Sequence, residues 1–250
     1  MYLLHTEELK MFVGQLKKMV DNKVAPRAAE IDEKGEFPWD LKQLFQETGL
    51  FGLAVPEEFG GTHQGHLYTC LAVEEIARAC VSSSLIVQGQ ALGWDPILIG
   101  GTEEQKKKYG PLVSTGEVII SFGLTEPGAG SDSAAMATRA VKKGDKYIIN
   151  GTKCFITNGP VANLITVFAM TDASKGVKGI SAFIVPTDSP GYSVARWESK
   201  MGIKGSPTGQ LVFDNVEIPA ENLIGQEGKG FVYAMKTLDR SRPVIGAQAC

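Results

Sequence analysis

Residues 122–132, FGLTEPGAGSD, followed by residues 150–159, NGTKCFITNG, decide the reading of this chain. In the first stretch Gly128 and Gly130 flank Ala129 after a proline. Glycines there let the backbone bend sharply and turn successive N–H groups outward, which suits the close approach of a pyrophosphate. Ser131 adds a hydroxyl donor beside them. Thr125 and Thr157 each stand at the end of an apolar run, residues 118–124 for the first and Phe155 with Ile156 for the second. That placement lets a hydroxyl face a ligand while the strand behind it stays buried. A nicotinamide or P-loop reading of the glycines fails, because the third glycine position of a Gly-x-Gly-x-x-Gly fingerprint holds Ser133 and no Gly-Lys-Ser/Thr occurs.

The apolar pattern around these motifs changes character near residue 117. Before it, Leu9, Phe12, Val13, Leu16, Met19 and Val20 recur at helical spacing. Pro38 sits where a first helical turn tolerates it, Leu41, Leu44 and Phe45 follow, and Gly49 supplies a stop. Further helices are predicted over about 67–79 and from about Ser84, with Pro96 ending or kinking the latter. Thr102-Glu-Glu-Gln105 reads as a capping box opening a helix over about 103–113. From residue 118 the apolar residues come in short runs, 147–149, 164–170, 180–185 and 211–213, separated by Gly144-Asp145, Asn158-Gly159, Pro190-Gly191 and Asp214-Asn215. That is the signature of an antiparallel sheet or barrel. After residues 225–228 the helical period returns with Phe231, Met235 and Leu238 on one face. The predicted organisation is α+β: a helical domain over 1–117, a β-barrel-like domain over 118–226, and over 227–250 the first helix of a further helical bundle.

Composition narrows the function classes. Two hundred and fifty residues provide for two cores, and a net charge of −3 with both signs interspersed points to neither nucleic acid nor an anionic membrane as partner. No apolar run approaches the roughly 18 residues a spanning helix needs. The start, Met1-Tyr-Leu-Leu-His followed by Glu7, Glu8 and Lys10, lacks the basic region, apolar stretch and cleavage site of a secretory leader and is too acidic for a transit peptide. Cys70, Cys80, Cys154 and Cys250 form no Cys-x-x-Cys and read as thiols of a reducing, cytoplasmic compartment.

The two motifs in this order and spacing resemble the flavin-binding core of the acyl-CoA dehydrogenase family, and the resemblance extends over the whole chain. It implies an N-terminal helical domain, a middle β domain and a C-terminal helical bundle, of which the first two are present with one helix of the third. It implies FAD as cofactor and conversion of an acyl-CoA thioester to its 2,3-enoyl product. By the family pattern Phe122, Leu124 and Thr125 line the flavin, and Gly130 belongs to the phosphate-cradling loop. Ser131 serves the FAD phosphate and the CoA portion, and Phe155, Ile156 and Thr157 cover the other edge of the ring. Hydroxyls such as those of Thr125 and Thr157 tune flavin electronics. Phe155 departs from the Trp common at its position, which keeps stacking and loses an indole N–H. Leu238-Asp239-Arg240-Ser241-Arg242-Pro243 resembles the start of the CoA-contacting helix, with Asp239 and Arg242 as substrate-binding residues. The resemblance also implies an electron-transferring flavoprotein as acceptor and a homotetramer for the complete protein. The usual family base would lie beyond residue 250, since Ser241 stands at the position where some members carry it on this helix.

Asp95, in Gly93-Trp94-Asp95-Pro96, is a candidate base for an unusual carbon of a cyclic acyl group, against the plainer reading of a helix-end or turn aspartate before proline. Gln88, Gln90 and Asp95 bring polarity to a helix that would floor the acyl pocket, which points to a short, branched or cyclic acyl group. His63 and His66 lack further ligands nearby and give no metal site. Glu74 and Glu75 point in different directions as helix neighbours. Residues 106–108, three lysines, offset a helix dipole or are solvated, and Trp39, Trp94 and Trp197 read as packing residues. An acyl-CoA oxidase would share the flavin motifs, and an inactive paralogue or non-catalytic fragment would share the fold.

Overall fold

The computed structural model describes residues 6–62 and 64–250. The readings made of the first five residues and of His63 lie outside these. Thr6 caps the first helix, α1 (Glu7–Met19), by accepting from the Leu9 N–H at 3.2 Å. Leu9 and Leu16 are its buried face, and a π-helical turn, Val20–Val24, carries the chain on to the short α2 (Ala28–Lys34). Pro38 stands just ahead of α3 (Trp39–Glu47), and Gly49, at φ 72°, ends that segment in the left-handed region open to glycine. Two longer helices follow, α4 (His66–Ala79) and α5 (Val81–Gly100). The capping box at Thr102 is complete in both directions and opens α6 (Glu103–Ser114).

Helix α5 runs through Pro96 to Gly100 instead of ending there. Proline removes one N–H and one helical bond, and burial on nearly every side outweighs that loss. Trp94 and Ile97 are fully buried beside it. The fit against the sheet is close at two glycines. A Cβ at Gly93 would sit 2.6 Å from the Ile120 carbonyl oxygen, and one at Gly89 2.8 Å from the Asn158 amide nitrogen. Only glycine permits that approach. Of the three tryptophans Trp94 is a packing residue, whereas Trp39 and Trp197 are more than half exposed.

The sheet holds seven strands among the described residues: β1 (Ile120–Gly123), β2 (Arg139–Lys143), β3 (Lys146–Thr157), β4 (Leu164–Met170), β5 (Ile180–Pro186), β6 (Tyr192–Trp197) and β7 (Thr208–Pro219). Their order is β1-β4-β2-β3-β7-β6, with β5 on the other side of β4. The sequence reading of an antiparallel sheet needs correction here. Strand β4 lies parallel to both β1 and β2, while the remaining pairs are antiparallel, so the curled sheet is mixed. The β2–β3 hairpin intervenes between β1 and β4, and the chain re-enters beside β1 in the same direction, which no tight turn could achieve. The strands β2 and β6 lack continuous apolar runs because they are largely exposed, and the patterning passed over them. Asp214-Asn215 is not a turn but a bulge inside β7, with Asn215 at φ 52°. The last helix, α7 (Gly230–Ala249), lies against α4 and α5 and touches β4 and β5.

One buried ion pair fixes the glycine-bearing loop to this frame. Lys153, from the middle of β3, is fully buried and donates to the Glu126 carboxylate at 2.7 Å and to the Leu124 carbonyl at 3.0 Å. Glu126 also accepts from the Ala137 N–H at 2.6 Å and the Thr138 N–H at 3.1 Å. Cys154 N–H donates to the Thr125 carbonyl at 2.9 Å. Burial pushes the Glu126 carboxyl up, but Lys153 and the two N–H donors outweigh it and leave the group below the usual glutamate range. Burial likewise pushes Lys153 down, held back by Glu126. Truncating one partner strands a buried charge, so Lys153→Met is expected to cost about 3–5 kcal/mol in urea unfolding at pH 7. The double variant Lys153→Met with Glu126→Gln should recover more than half of that loss. Because the folded carboxyl is depressed, its contribution is present above the unfolded pKa and lost as pH falls through the folded one. A loss under about 1 kcal/mol for Lys153→Met would mean that the pair does not hold the loop.

Candidate functional site

Separate pieces of chain, three of them carrying residues singled out from the sequence, converge on one open cavity of about 580 Å³. β1 and the loop after it contribute Phe122, Leu124, Thr125, Gly130 and Ser131; the end of β3 contributes Phe155, Ile156 and Thr157; and α7 contributes Phe231, Met235, Leu238 and Arg242. That volume is in the range of pockets for drug-sized ligands. All eight residues read from the sequence as cofactor-binding therefore stand around one space, with Arg242 at its margin. Asp239 does not line it. Its carboxylate is exposed and accepts from Arg242 at 2.7 Å across one turn of α7.

The loop is shaped by a tight reversal rather than by unusual glycine dihedrals. Glu126 and Ala129 exchange backbone hydrogen bonds, each 3.1 Å, around Pro127-Gly128. Among the described residues, the glycines with left-handed φ do not include Gly128 or Gly130. What glycine supplies here is room. A Cβ added at Gly128 or Gly130 would meet nothing within 4 Å, so the outer side of the loop is open to a bulky group. Strain appears instead at Phe155, whose φ of 57° is rare for an aromatic residue. The residue is 64% exposed and lines the cavity. A strained, exposed aromatic at a pocket wall is the kind of feature that accompanies a function.

Sequence reasoning missed much of the supporting structure. Gly89 and Leu92 of α5 and the segment 132–134 also line the cavity. The Lys153–Glu126 pair had one signal, a lysine among apolar strand residues, but its partner lies far away in sequence. Gln90 was read as pocket polarity, and the structure corrects this. Its amide donates to the Val113 and Val118 carbonyls at 3.1 and 2.7 Å and accepts from the Ile120 N–H at 3.1 Å, which knits α5, α6 and β1 together away from the cavity.

Asp95 is neither a helix end nor a turn. It lies inside α5, is 3% exposed, and accepts from Arg240 of α7 at 3.2 Å. Burial raises its carboxyl to about 6, with Arg240 pulling the other way. It borders a smaller cleft between α4, α5 and α7, to which Gln88, Leu92 and Arg240 also contribute. Leu92 faces both this cleft and the main cavity.

No cluster of metal-ligating side chains and no helix long and apolar enough to cross a membrane occurs among the described residues. Comparison with known proteins draws on the same two regions. Residues 6–117 match the family described as "Acyl-CoA dehydrogenase, N-terminal domain", and residues 121–216 match "Acyl-CoA dehydrogenase, middle domain". A cyclohex-1-ene-1-carbonyl-CoA dehydrogenase of Syntrophus aciditrophicus (strain SB) is 46% identical over 245 residues, an overlap of 98% of this chain and 59% of that protein. The solved butyryl-CoA dehydrogenase of Megasphaera elsdenii superimposes with a TM-score of 0.93 at 40% identity, over 98% of this chain and 65% of that one. A chain of the structure described as "Electron transferring flavoprotein of Acidaminococcus fermentans: Towards a mechanism of flavin-based electron bifurcation" gives a TM-score of 0.94 at 43% identity, over 98% of this chain and 64% of that one. The chain thus spans roughly three-fifths of the length of these relatives. With both domain families matched in order and the whole fold superimposing, the chain belongs to the acyl-CoA dehydrogenase family, of which it carries the N-terminal and middle domains.

Proposed function

We propose that this chain forms the flavin- and substrate-binding part of an FAD-dependent acyl-CoA dehydrogenase that converts a short, branched or cyclic acyl-CoA to its enoyl product. The observation that carries this reading is the single cavity shared by the post-β1 loop, the end of β3 and α7. The residues fit FAD: the loop at Gly128 and Gly130 leaves open room, Thr125 and Thr157 stand at the cavity, and the Phe155 ring is free to pack on a flat partner. In this reading Gly130 and Ser131 hold the pyrophosphate, Phe122, Leu124 and Thr125 meet one edge of the flavin, and Phe155, Ile156 and Thr157 meet the other. When bound, FAD supplies the hydride acceptor. Ser131 and Arg242 bind the CoA portion, with Asp239 orienting Arg242 from outside the cavity and the Arg242 fork suited to phosphate or carbonyl oxygens. The wall of Leu92, Phe231, Met235 and Leu238 excludes water from the reacting carbons.

Asp95 is the proposed base. Its carboxylate takes the proton from a carbon of the acyl group, and the C–H electron pair enters the new double bond as hydride leaves the neighbouring carbon. A carboxyl raised to about 6 by burial is matched to work near neutral pH. The sign follows from that direction: the proton is held below about pH 6 and released above it, so turnover should rise with pH through that region and level off. The Syntrophus relative is described by a cyclic substrate and the Megasphaera protein by a short one, which supports this size range for the acyl group. That a chain resembling this one occurs in a structure described by an electron-transferring flavoprotein supports such a protein as the electron acceptor. A cytoplasmic homotetramer completes the proposal, in keeping with four free cysteines.

The ultraviolet–visible spectrum of the purified protein, taken before and after anaerobic addition of butyryl-, isobutyryl-, cyclohexanecarbonyl- and palmitoyl-CoA, tests this reading. Flavin absorption that bleaches with one of the first three is expected. Bleaching best with the long chain would overturn the substrate class, and a flavin that no thioester bleaches would overturn the dehydrogenase. Asp95→Asn is expected to lower kcat by about 10²–10⁴ and to abolish the inflection near pH 6. Unchanged turnover would end the proposal for Asp95.

A further inference from the structure

Besides closing a buried ion pair, Lys153 makes a second hydrogen bond that reaches the peptide bordering the main cavity. From β3 its ammonium donates to the Glu126 carboxylate at 2.7 Å and to the Leu124 carbonyl at 3.0 Å. Burial lowers the group to about 8 while Glu126 pulls the other way, so it keeps its charge at neutral pH. The Leu124–Thr125 peptide is trans, since no cis bond occurs among the described residues, and a trans peptide sends its C=O and N–H to opposite sides. With the carbonyl turned inward onto Lys153, the Thr125 N–H leaves on the other side. It finds no acceptor among the described residues. The adjoining groups are paired: the Thr125 carbonyl accepts from the Cys154 N–H at 2.9 Å, and the Glu126 N–H donates to the Ala129 carbonyl at 3.1 Å. Leu124 and Thr125 both line the cavity. Backbone donors are nearly always paired with protein, water or ligand, so this N–H is left to whatever fills the cavity.

The lysine changes what that N–H can do. A cation on a carbonyl oxygen draws electron density through the amide and makes the N–H at its other end a stronger donor, because hydrogen bonds in a chain polarise one another. Lys153 is fully buried, so water does not screen the effect. Glu126 cancels the net charge of the pair, and its carboxylate is occupied by Lys153 and by the Ala137 and Thr138 N–H groups. The influence of Lys153 on the cavity therefore passes through the bonded peptide and not as a net field. A donor fixed in place before a ligand arrives favours the form of that ligand with more negative charge at the bonded atom. A flavin that has accepted hydride carries more electron density on its ring than the oxidised form, so a polarised N–H at the ring edge favours the reduced state.

We infer that Lys153 is a positioning residue for the redox step: through the Leu124–Thr125 peptide it aims and polarises the Thr125 N–H toward the bound flavin, and so favours the reduced cofactor. This rests on the reading of the main cavity as a flavin site. The midpoint potential of the FAD-loaded full-length protein, measured against redox dyes without acyl-CoA, tests it. Two variants separate polarisation from support of the loop. In Lys153→Met with Glu126→Gln the Leu124 carbonyl loses its donor, whereas in Glu126→Gln alone the lysine and its bond to Leu124 remain. The double variant should lose about tenfold more affinity for reduced than for oxidised FAD, a fall in potential of about 30 mV for a two-electron couple. Glu126→Gln alone should not lower the potential. A pair that only supported the loop would weaken both redox forms alike, so unchanged potentials, or an equal fall in both variants, would overturn the inference. The unaltered protein gives a second reading that does not depend on how a variant folds. In protein labelled with ¹⁵N-threonine, the Thr125 amide proton, assigned by its loss in Thr125→Ser, should move downfield on addition of FAD and exchange with solvent at least about tenfold more slowly. An amide that neither moves nor slows would overturn the inference and leave the flavin reading standing. If the unaltered protein binds no FAD, the flavin reading falls and the inference falls with it.

Discussion

The site depends on a lysine held without water. Lys153 is fully enclosed and is tolerated only because Glu126 and the Leu124 carbonyl take up its donors. Removing two charges from water is costly, and the cost is offset only when geometry is close and the remaining lone pairs are also satisfied. The Ala137 and Thr138 N–H groups meet that condition by completing the Glu126 shell. The same pair that satisfies two buried charges therefore ties β3 to the loop after β1 and to the start of β2. Those connections bring Leu124 and Thr125 to face Phe155, Ile156 and Thr157 around one cavity.

The helical side is held to the sheet by different means. Gly89 and Gly93, one helical turn apart, let α5 approach β1 and the Asn158 turn to near contact. Gln90 then satisfies three backbone groups at the junction of α5, α6 and β1, and the Thr166 hydroxyl donates to the Gly93 carbonyl at 2.9 Å. Close packing leaves little freedom for α5, so residues on its other face are placed as firmly as the strands. Asp95 and Gln88 lie there, and α7 closes over them by bringing Arg240 to Asp95. A carboxyl in that position is raised by burial and lowered by its guanidinium partner, and the balance near 6 leaves it able to exchange a proton near neutral pH.

How legible this was in the sequence varied with the range of the interaction. Helix starts and stops came through because caps act within one turn. Thr102 and Gln105 form their box three residues apart, and Gly49 takes its left-handed φ whatever the helix later packs against. The apolar runs of β4 and β5 were plain because both strands are buried along nearly their whole length. The exposed β2 and β6 left no such pattern. Pro96 misled because local chemistry disfavours a proline inside a helix, while the burial of Trp94 and Ile97 around it is a tertiary matter.

The sequence by itself determined the helix-then-sheet-then-helix order, the caps and turns, and the two motifs that carry the family resemblance, because each depends on neighbours within a few residues. Only the tertiary structure decided that β4 runs parallel to β1, that Gln90 is a buried brace and that Asp239 stands outside the cavity. It alone decided that Lys153 meets Glu126 and that Asp95 meets Arg240. The physical reason is that desolvation and charge pairing depend on distances in space. Asp95 and Arg240 are 145 positions apart in the chain, so no local pattern records that they touch.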